Sequence, residues 1–163
     1  QAVLEYSAMA QFNTKEEFME GNLFDFIEEY AMNILNRSDR LKVQVVRSDT
    51  EGIEMKFVPQ NIAIILDNVV SNSTKYNANE LRVLLGKDEK QYTIDFIDDG
   101  DGVSSDIADL NELFEFGKGY TLTGTGVGLY HIKDIVEKDL QGTVTIESEP
   151  QKGFALHVRF GKV

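Results

Sequence analysis

A chain of 163 residues with a formal charge of −12 and no cysteine excludes several functional classes. Without thiols there is no disulfide framework, thiolate metal site or cysteine nucleophile. Without a cluster of Lys and Arg to displace counterions, nucleic acid is not a partner. The 42% hydrophobic and 27% charged residues suit one soluble globular domain, able to bury roughly two thirds of its unfolded surface unaided.

No apolar run reaches the length of a membrane span, so this stretch makes no membrane contact of its own. The chain begins at Gln1 with no methionine or signal peptide. This points to a piece of a longer protein whose remainder can carry membrane helices.

In chain order, residues 1–12 read as a short helix, and Thr14-Lys15-Glu16-Glu17 as a capping box. Asn22 caps a clearer helix with Leu23, Phe26, Ile27, Tyr30, Ile34 and Leu35 on one face. Residues 1–21 are therefore assigned to a linker or helix, and 22–163 to the domain. Residues 41–46 and 53–58 read as strands turned by Asp49 to Gly52, with Pro59 ending the second.

A helix follows over about 60–76, with Ile62, Ile65, Leu66, Val69 and Val70 at helical spacing. Residues 80–86 and 92–98 form a hairpin, and 107–114 a short helix. The Gly- and Thr-rich stretch 115–125 reads as a mobile loop, 127–139 as a long helix, and 143–148 and 154–160 as a final strand pair. Strand pairs separated by helices predict an α/β domain. Its expected form is a two-layer α+β sandwich with a mixed, mostly antiparallel sheet and helices on one face.

Three stretches carry chemistry. In LDNVVSNSTKY (66–76), Asn68 and Asn72 lie one helical turn apart and point the same way, and Lys75 can share that face. Two amides beside a cation are hard to explain by packing, although exposed Asn on a helix is ordinary. In IDFIDDGDGV (94–103), an apolar strand ends in Asp98, followed by Asp99 and two glycines. A strand-end carboxylate can accept from an amino group, and Asp-Gly also makes plain turns. A calcium loop is a poor match, because Asp109 stands where the loop's last glutamate belongs. In GTGVGL (124–129), glycines lead into a helix whose N-terminal N–H groups suit phosphate. Neither a Walker A loop nor a dinucleotide fingerprint fits that spacing.

Taken together, the stretches resemble the GHKL superfamily, named for gyrase, Hsp90, histidine kinases and MutL. The first is similar to its N box, DDGDGV to its G1 box and GTGVGL to its G2 box. LFEFGKG (113–119) resembles the histidine-kinase F box, and the likeness runs over roughly 22–160. It implies a Bergerat-type ATP-binding fold with ATP and Mg²⁺ as cofactors. By it, Asn72 would coordinate Mg²⁺, Asn68 would assist near metal and phosphates, and Lys75 would neutralise phosphate charge. Tyr76 would pack by the adenine, and Asp98 would accept from its amino group. Gly100 and Gly102 would let base and water approach. Gly124, Thr125, Gly126, Val127, Gly128 and Leu129 would form the phosphate-side loop. Phe114 and Phe116 would anchor a lid, and Lys118 would reach the phosphates.

The implied function is the ATP-binding catalytic domain of a cytoplasmic sensor histidine kinase, its parent protein membrane-anchored or not. It would transfer γ-phosphate to a histidine on the dimerisation helices of that parent, with a response regulator downstream. Gyrase, MutL and Hsp90 proteins carry a glutamate where Asn68 stands, and an amide cannot act as that general base. The other readings are an ATPase clamp, an anti-sigma-type serine kinase and a non-catalytic ATP sensor. His131 and His157 lack the setting of a phosphoacceptor and read as structural. The chain departs from the family pattern at Ser73 (usually Ala), at Phe154 (usually Thr) and in its compressed F box.

Overall fold

The computed structural model describes residues 17–37, 39–115 and 128–163. The helix expected over 1–12, the start of the capping box and nearly all of the 115–125 loop lie outside the described residues. The elements are strand β1 (Met19–Asn22), helix α1 (Leu23–Asn33), strands β2 (Lys42–Arg47) and β3 (Glu54–Phe57), and helix α2 (Pro59–Lys75). Strands β4 (Glu80–Lys87) and β5 (Tyr92–Asp98), helix α3 (Gly128–Asp139), and strands β6 (Thr143–Ser148) and β7 (Phe154–Phe160) complete the order.

Five strands form one sheet in the order β2-β4-β5-β7-β6. β2 runs parallel to β4, and the other neighbours are antiparallel. β1 and β3 form a separate antiparallel ribbon. Inward residues alternate along the strands. Val43, Leu81, Val83, Leu85, Ile94, Phe96, Leu156 and Val158 are buried against the helices, as a sheet covered on one face requires.

Each helix has a local cause. The Asn22 side chain accepts from the Asp25 N–H at 3.2 Å, capping α1, whose Leu23, Phe24, Ile27, Tyr30 and Ala31 are buried. Pro59 opens the first turn of α2, where its missing N–H costs nothing. Ile132 and Val136 bury the inner face of α3. Asn61 Nδ2 on α2 donates to Asp139 Oδ2 on α3 at 2.6 Å. The short helix expected over 107–114 is a 3₁₀ turn over Leu110–Phe114.

One expectation is corrected. The strands read over 41–46 and 53–58 do not form a hairpin with each other; they belong to different sheets. After β2 the chain is drawn out of the sheet. Arg47 donates to the carbonyls of Asp49 and Thr50, and Asn22 Nδ2 holds the Glu51 carbonyl at 2.7 Å. β3 then pairs with β1, a strand that the sequence reading did not anticipate. β2 reaches β4 through the α2 crossover, the connection a parallel pair needs.

On the outer face of the sheet, His157 stitches three strands. Its Nδ1 lies 2.6 Å from Asp95 Oδ1, and its Nε2 lies 2.7 Å from Glu147 Oε1. Arg159 Nη1 joins Asp95 at 2.8 Å. His131 lies exposed on α3. No helix among the described residues is long and apolar enough to cross a membrane.

Between α1 and α2, Tyr30 Oη donates to Asp67 Oδ1 at 2.8 Å. Asp67 Oδ2 is buried without a hydrogen-bond partner. Burial pushes the Asp67 carboxyl up to about 6 against the Tyr30 hydrogen bond, which lowers it. The folded value thus lies above that of the unfolded chain. The stabilising effect of this proton is complete below about pH 4 and is lost as pH rises through about 6. Asp67→Asn removes the buried charge and should raise stability at pH 7.5 by about 1 kcal/mol, discounted for solvent near a half-buried group. Thermal melts from pH 4 to 8 check this. The gap between variant and wild type should open with rising pH, and a constant gap would contradict the assignment.

Candidate functional site

The site lies where the C-terminal half of α2 meets the end of β5. Asp98, the last residue of β5, is 8% exposed. Its Oδ2 accepts from Ser73 Oγ at 2.8 Å, and its Oδ1 from the Gly100 N–H at 3.0 Å. Burial raises its pKa, opposed by the hydrogen bonds from the Gly100 N–H, Ser73 and the Phe154 N–H.

The other carboxylates of the loop have structural partners. Asp99 Oδ1 accepts the N–H groups of Asn79 and Glu80 at 2.8 and 3.0 Å. The Glu80 N–H contributes most to holding its carboxyl below the usual range. Asp101 Oδ2 takes Asn77 Nδ2 at 2.7 Å. No cluster of His, Cys, Asp and Glu among the described residues could hold a metal ion.

The glycines serve the interlock of these segments. A Cβ on Gly100 would lie 2.6 Å from the Tyr76 carbonyl oxygen at the end of α2. Gly102 packs in the same way against the Glu149 carbonyl of the β6–β7 turn. Gly153, at φ +80°, has no room for a side chain above the Asp98 carbonyl. Their expected role was to admit a base and a water. On the side where a Cβ would stand, Gly100 meets Tyr76 and Ala78, and Gly102 meets Glu149, Gly153 and Ser148.

Asn72, Ser73, Asp98, Leu129, Phe154 and Leu156 line one closed pocket with Val69, Leu81 and Phe96. Its free volume is about 10 Å³, the room of a single water. Asn68 Nδ2 donates back to the Ile64 carbonyl at 2.9 Å. That leaves its Oδ1 as the atom nearest to a Cβ placed on Gly128, at 3.2 Å. Three stretches that are distant in sequence thus converge.

Lys75 is exposed in the last turn of α2. Tyr76 follows half-buried, its phenol pushed up by burial. Neither lines the closed pocket. Phe114 is buried, with Lys133 Nζ 5.5 Å from its ring centroid. Phe116, Lys118, Gly124, Thr125, Gly126 and Val127 lie outside the described residues. Ser73 and Phe154, noted above only as departures from a pattern, both line the pocket. Ser73 had a legible signal: it continues the buried row of Leu66 and Val69 on α2 and is the polar member of it.

A family model described as "Histidine kinase-, DNA gyrase B-, and HSP90-like ATPase" matches residues 57–162. The sensor protein kinase PilS of Pseudomonas aeruginosa is 27% identical across 97% of this chain and 30% of its own length. The heme sensor protein HssS of Staphylococcus saprophyticus is 27% identical across 90% of this chain and 34% of its own. The chain thus spans about a third of these curated relatives. The catalytic domain of histidine kinase ThkA superposes with a TM-score of 0.70 at 19% identity, over 90% of this chain and 96% of that one. The ATP-binding domain of PrrB from Mycobacterium tuberculosis gives 0.69 at 19%, over 90% and 98%. These two likenesses establish the fold, a mixed five-stranded sheet with helices.

Gly153→Ala should lower stability by about 2 kcal/mol or more, because it combines a left-handed backbone with a steric overlap on Asp98. The check is the urea midpoint, with an unchanged slope. A wild-type midpoint would show that the β6–β7 turn does not clamp Asp98.

Proposed function

The chain belongs to the family of histidine kinase-, DNA gyrase B- and HSP90-like ATPases, and we propose that it is the ATP-binding catalytic domain of a sensor histidine kinase. It transfers the γ-phosphate of ATP to a histidine on separate dimerisation helices of its parent protein, in the cytoplasm, with a response regulator downstream. The observation that carries this reading is Asn68. An amide stands beside the N-terminus of α3, with its Nδ2 committed to the Ile64 carbonyl and its Oδ1 toward Gly128. An amide oxygen orients and accepts; it does not take a proton from water at neutral pH. The position therefore favours delivery of phosphate to a nucleophile over hydrolysis.

In this reading Asp98 accepts from the exocyclic amino group of adenine, and the ring lies against the apolar side chains beside it, Leu129 and Phe154 among them. The N-terminus of α3 faces the phosphates with its free N–H groups and dipole. Lys75, exposed at the end of α2, supplies positive charge from the same face. The donors at hand fit Mg²⁺. Asn72 offers a neutral oxygen to a hard cation that completes its shell with phosphate oxygens and water. Bound there, the ion would offset charge on the phosphates. What the chain itself contributes to transfer is positioning and electrostatic stabilisation.

The domain should bind Mg-ATP, and Asp98→Asn or Asn72→Ala should weaken binding tenfold or more, the scale of losing one buried hydrogen bond, about 1–3 kcal/mol. Calorimetric titration measures this. Radiolabelled ATP should yield phosphohistidine on a supplied phosphoacceptor hairpin and no sustained release of free phosphate. Steady hydrolysis by the isolated domain would favour an ATPase instead.

A further inference from the structure

The nucleotide reading leaves Ser73 without a role, yet its place is unusual. It is 2% exposed, on the core face of α2, in the row otherwise formed by Leu66 and Val69. A buried hydroxyl is costly unless it is hydrogen-bonded, and among the described residues this one donates to Asp98 Oδ2 at 2.8 Å.

The other hydrogen bond to the Asp98 carboxylate comes from a backbone N–H, that of Gly100. Backbone donors come with the fold whatever the side chains are. Ser73 is the side chain in the set, and hence the member that substitution can remove without moving the chain. Its only proton goes to Asp98, so toward the pocket it presents lone pairs. A carboxylate has about four acceptor sites, and the Gly100 and Ser73 contacts leave others open. The polar floor of the pocket thus offers acceptors, which match an amino group and oppose a keto oxygen.

Resting on the nucleotide-site reading, we propose that Ser73 is a positioning residue for base recognition: its hydroxyl fixes the plane of the Asp98 carboxylate so that a free acceptor faces the exocyclic amino group of the base. Ser73 touches the base through Asp98 and is not itself catalytic. The same bond favours the ionised carboxylate against the burial that opposes it.

The test compares wild type, Ser73→Ala and Asp98→Asn in binding ATP and purine riboside triphosphate, which lacks the amino group, across pH 5 to 8. For ATP at pH 7.5, Ser73→Ala should bind roughly three- to tenfold more weakly, the loss of one charge-assisted hydrogen bond. For purine riboside triphosphate, wild type and Ser73→Ala should bind alike. The fall of ATP affinity on acidification should begin at higher pH in Ser73→Ala than in wild type, once the part that Asp98→Asn retains, from titration of the nucleotide's own phosphates, is subtracted. Equal penalties for both nucleotides, or an unmoved pH profile, would overturn the proposal and leave Ser73 a packing residue. Melts verify folding. If Ser73→Ala does not fold, Ser73→Cys, a near-isosteric weak donor, carries the same comparison with the same expected signs. A wild type that binds neither nucleotide would bring down the nucleotide reading itself, and this role with it.

Discussion

Asp98 sits at the centre of a conflict. On the proposed reading it receives a hydrogen bond from a ligand, a role its ionised form serves best, yet an ionised carboxylate as dry as this one is unfavourable unless donors surround it. The molecule meets the demand from three directions. α2 brings the Ser73 hydroxyl, the loop after β5 folds back to bring the Gly100 N–H, and β7 lies alongside with Phe154. Each approach sets a condition elsewhere. The loop can fold back only because Gly100 passes close to the Tyr76 carbonyl, and the β6–β7 turn can close over the strand end only because Gly153 has no side chain. Asp99 and Asp101 hold the same loop to the start of β4 and the end of α2. The residues around Asp98 are thus a single interlock in which site and fold share backbone.

Helix α2 shows how one segment serves both. Its Ile62, Ala63, Ile65, Leu66 and Val69 fill the core. Asn68 lies outside that stripe, toward the N-terminus of α3. Because 3.6 residues make a turn, a residue four later returns nearly to the same side, and Asn72 therefore reaches the same pocket as Asp98. The packing that fixes the rotation of α2 in the core also aims its amides. Asn61 and Asp139 pin the far end of that helix to α3.

Much of this was legible in the sequence, for reasons that differ by element. The last two strands were read at their observed limits, because apolar alternation over 154–160 and the flanking turn residues leave little choice of period. α2 was legible from helical spacing. Partner choice was not. The pattern of β2 says that one face is buried, not which strand lies beside it, and an edge strand that pairs in parallel looks in sequence like one half of a hairpin. β1 was missed because MEGN has neither alternation nor β-branched residues; its strand state is imposed by pairing with β3. In the site, Asp98 and the two asparagines stood out as chemistry at a set spacing. Ser73 was legible only as the polar member of an apolar helical row; its partner lies 25 residues away in sequence, which no local pattern encodes.

The lining of the pocket divides along the same lines. Its polar members, Asn72, Ser73 and Asp98, come from α2 and the end of β5, and Asp98 is tied by the Ser73 hydroxyl and the Gly100 N–H. Its apolar members Leu129 and Phe154 come from the first turn of α3 and the start of β7. Leu129 follows Gly128, where an added Cβ would meet Asn68 Oδ1. The acceptors are thus specified by the same helix and strand that build the core, while separate elements supply the apolar side that faces them.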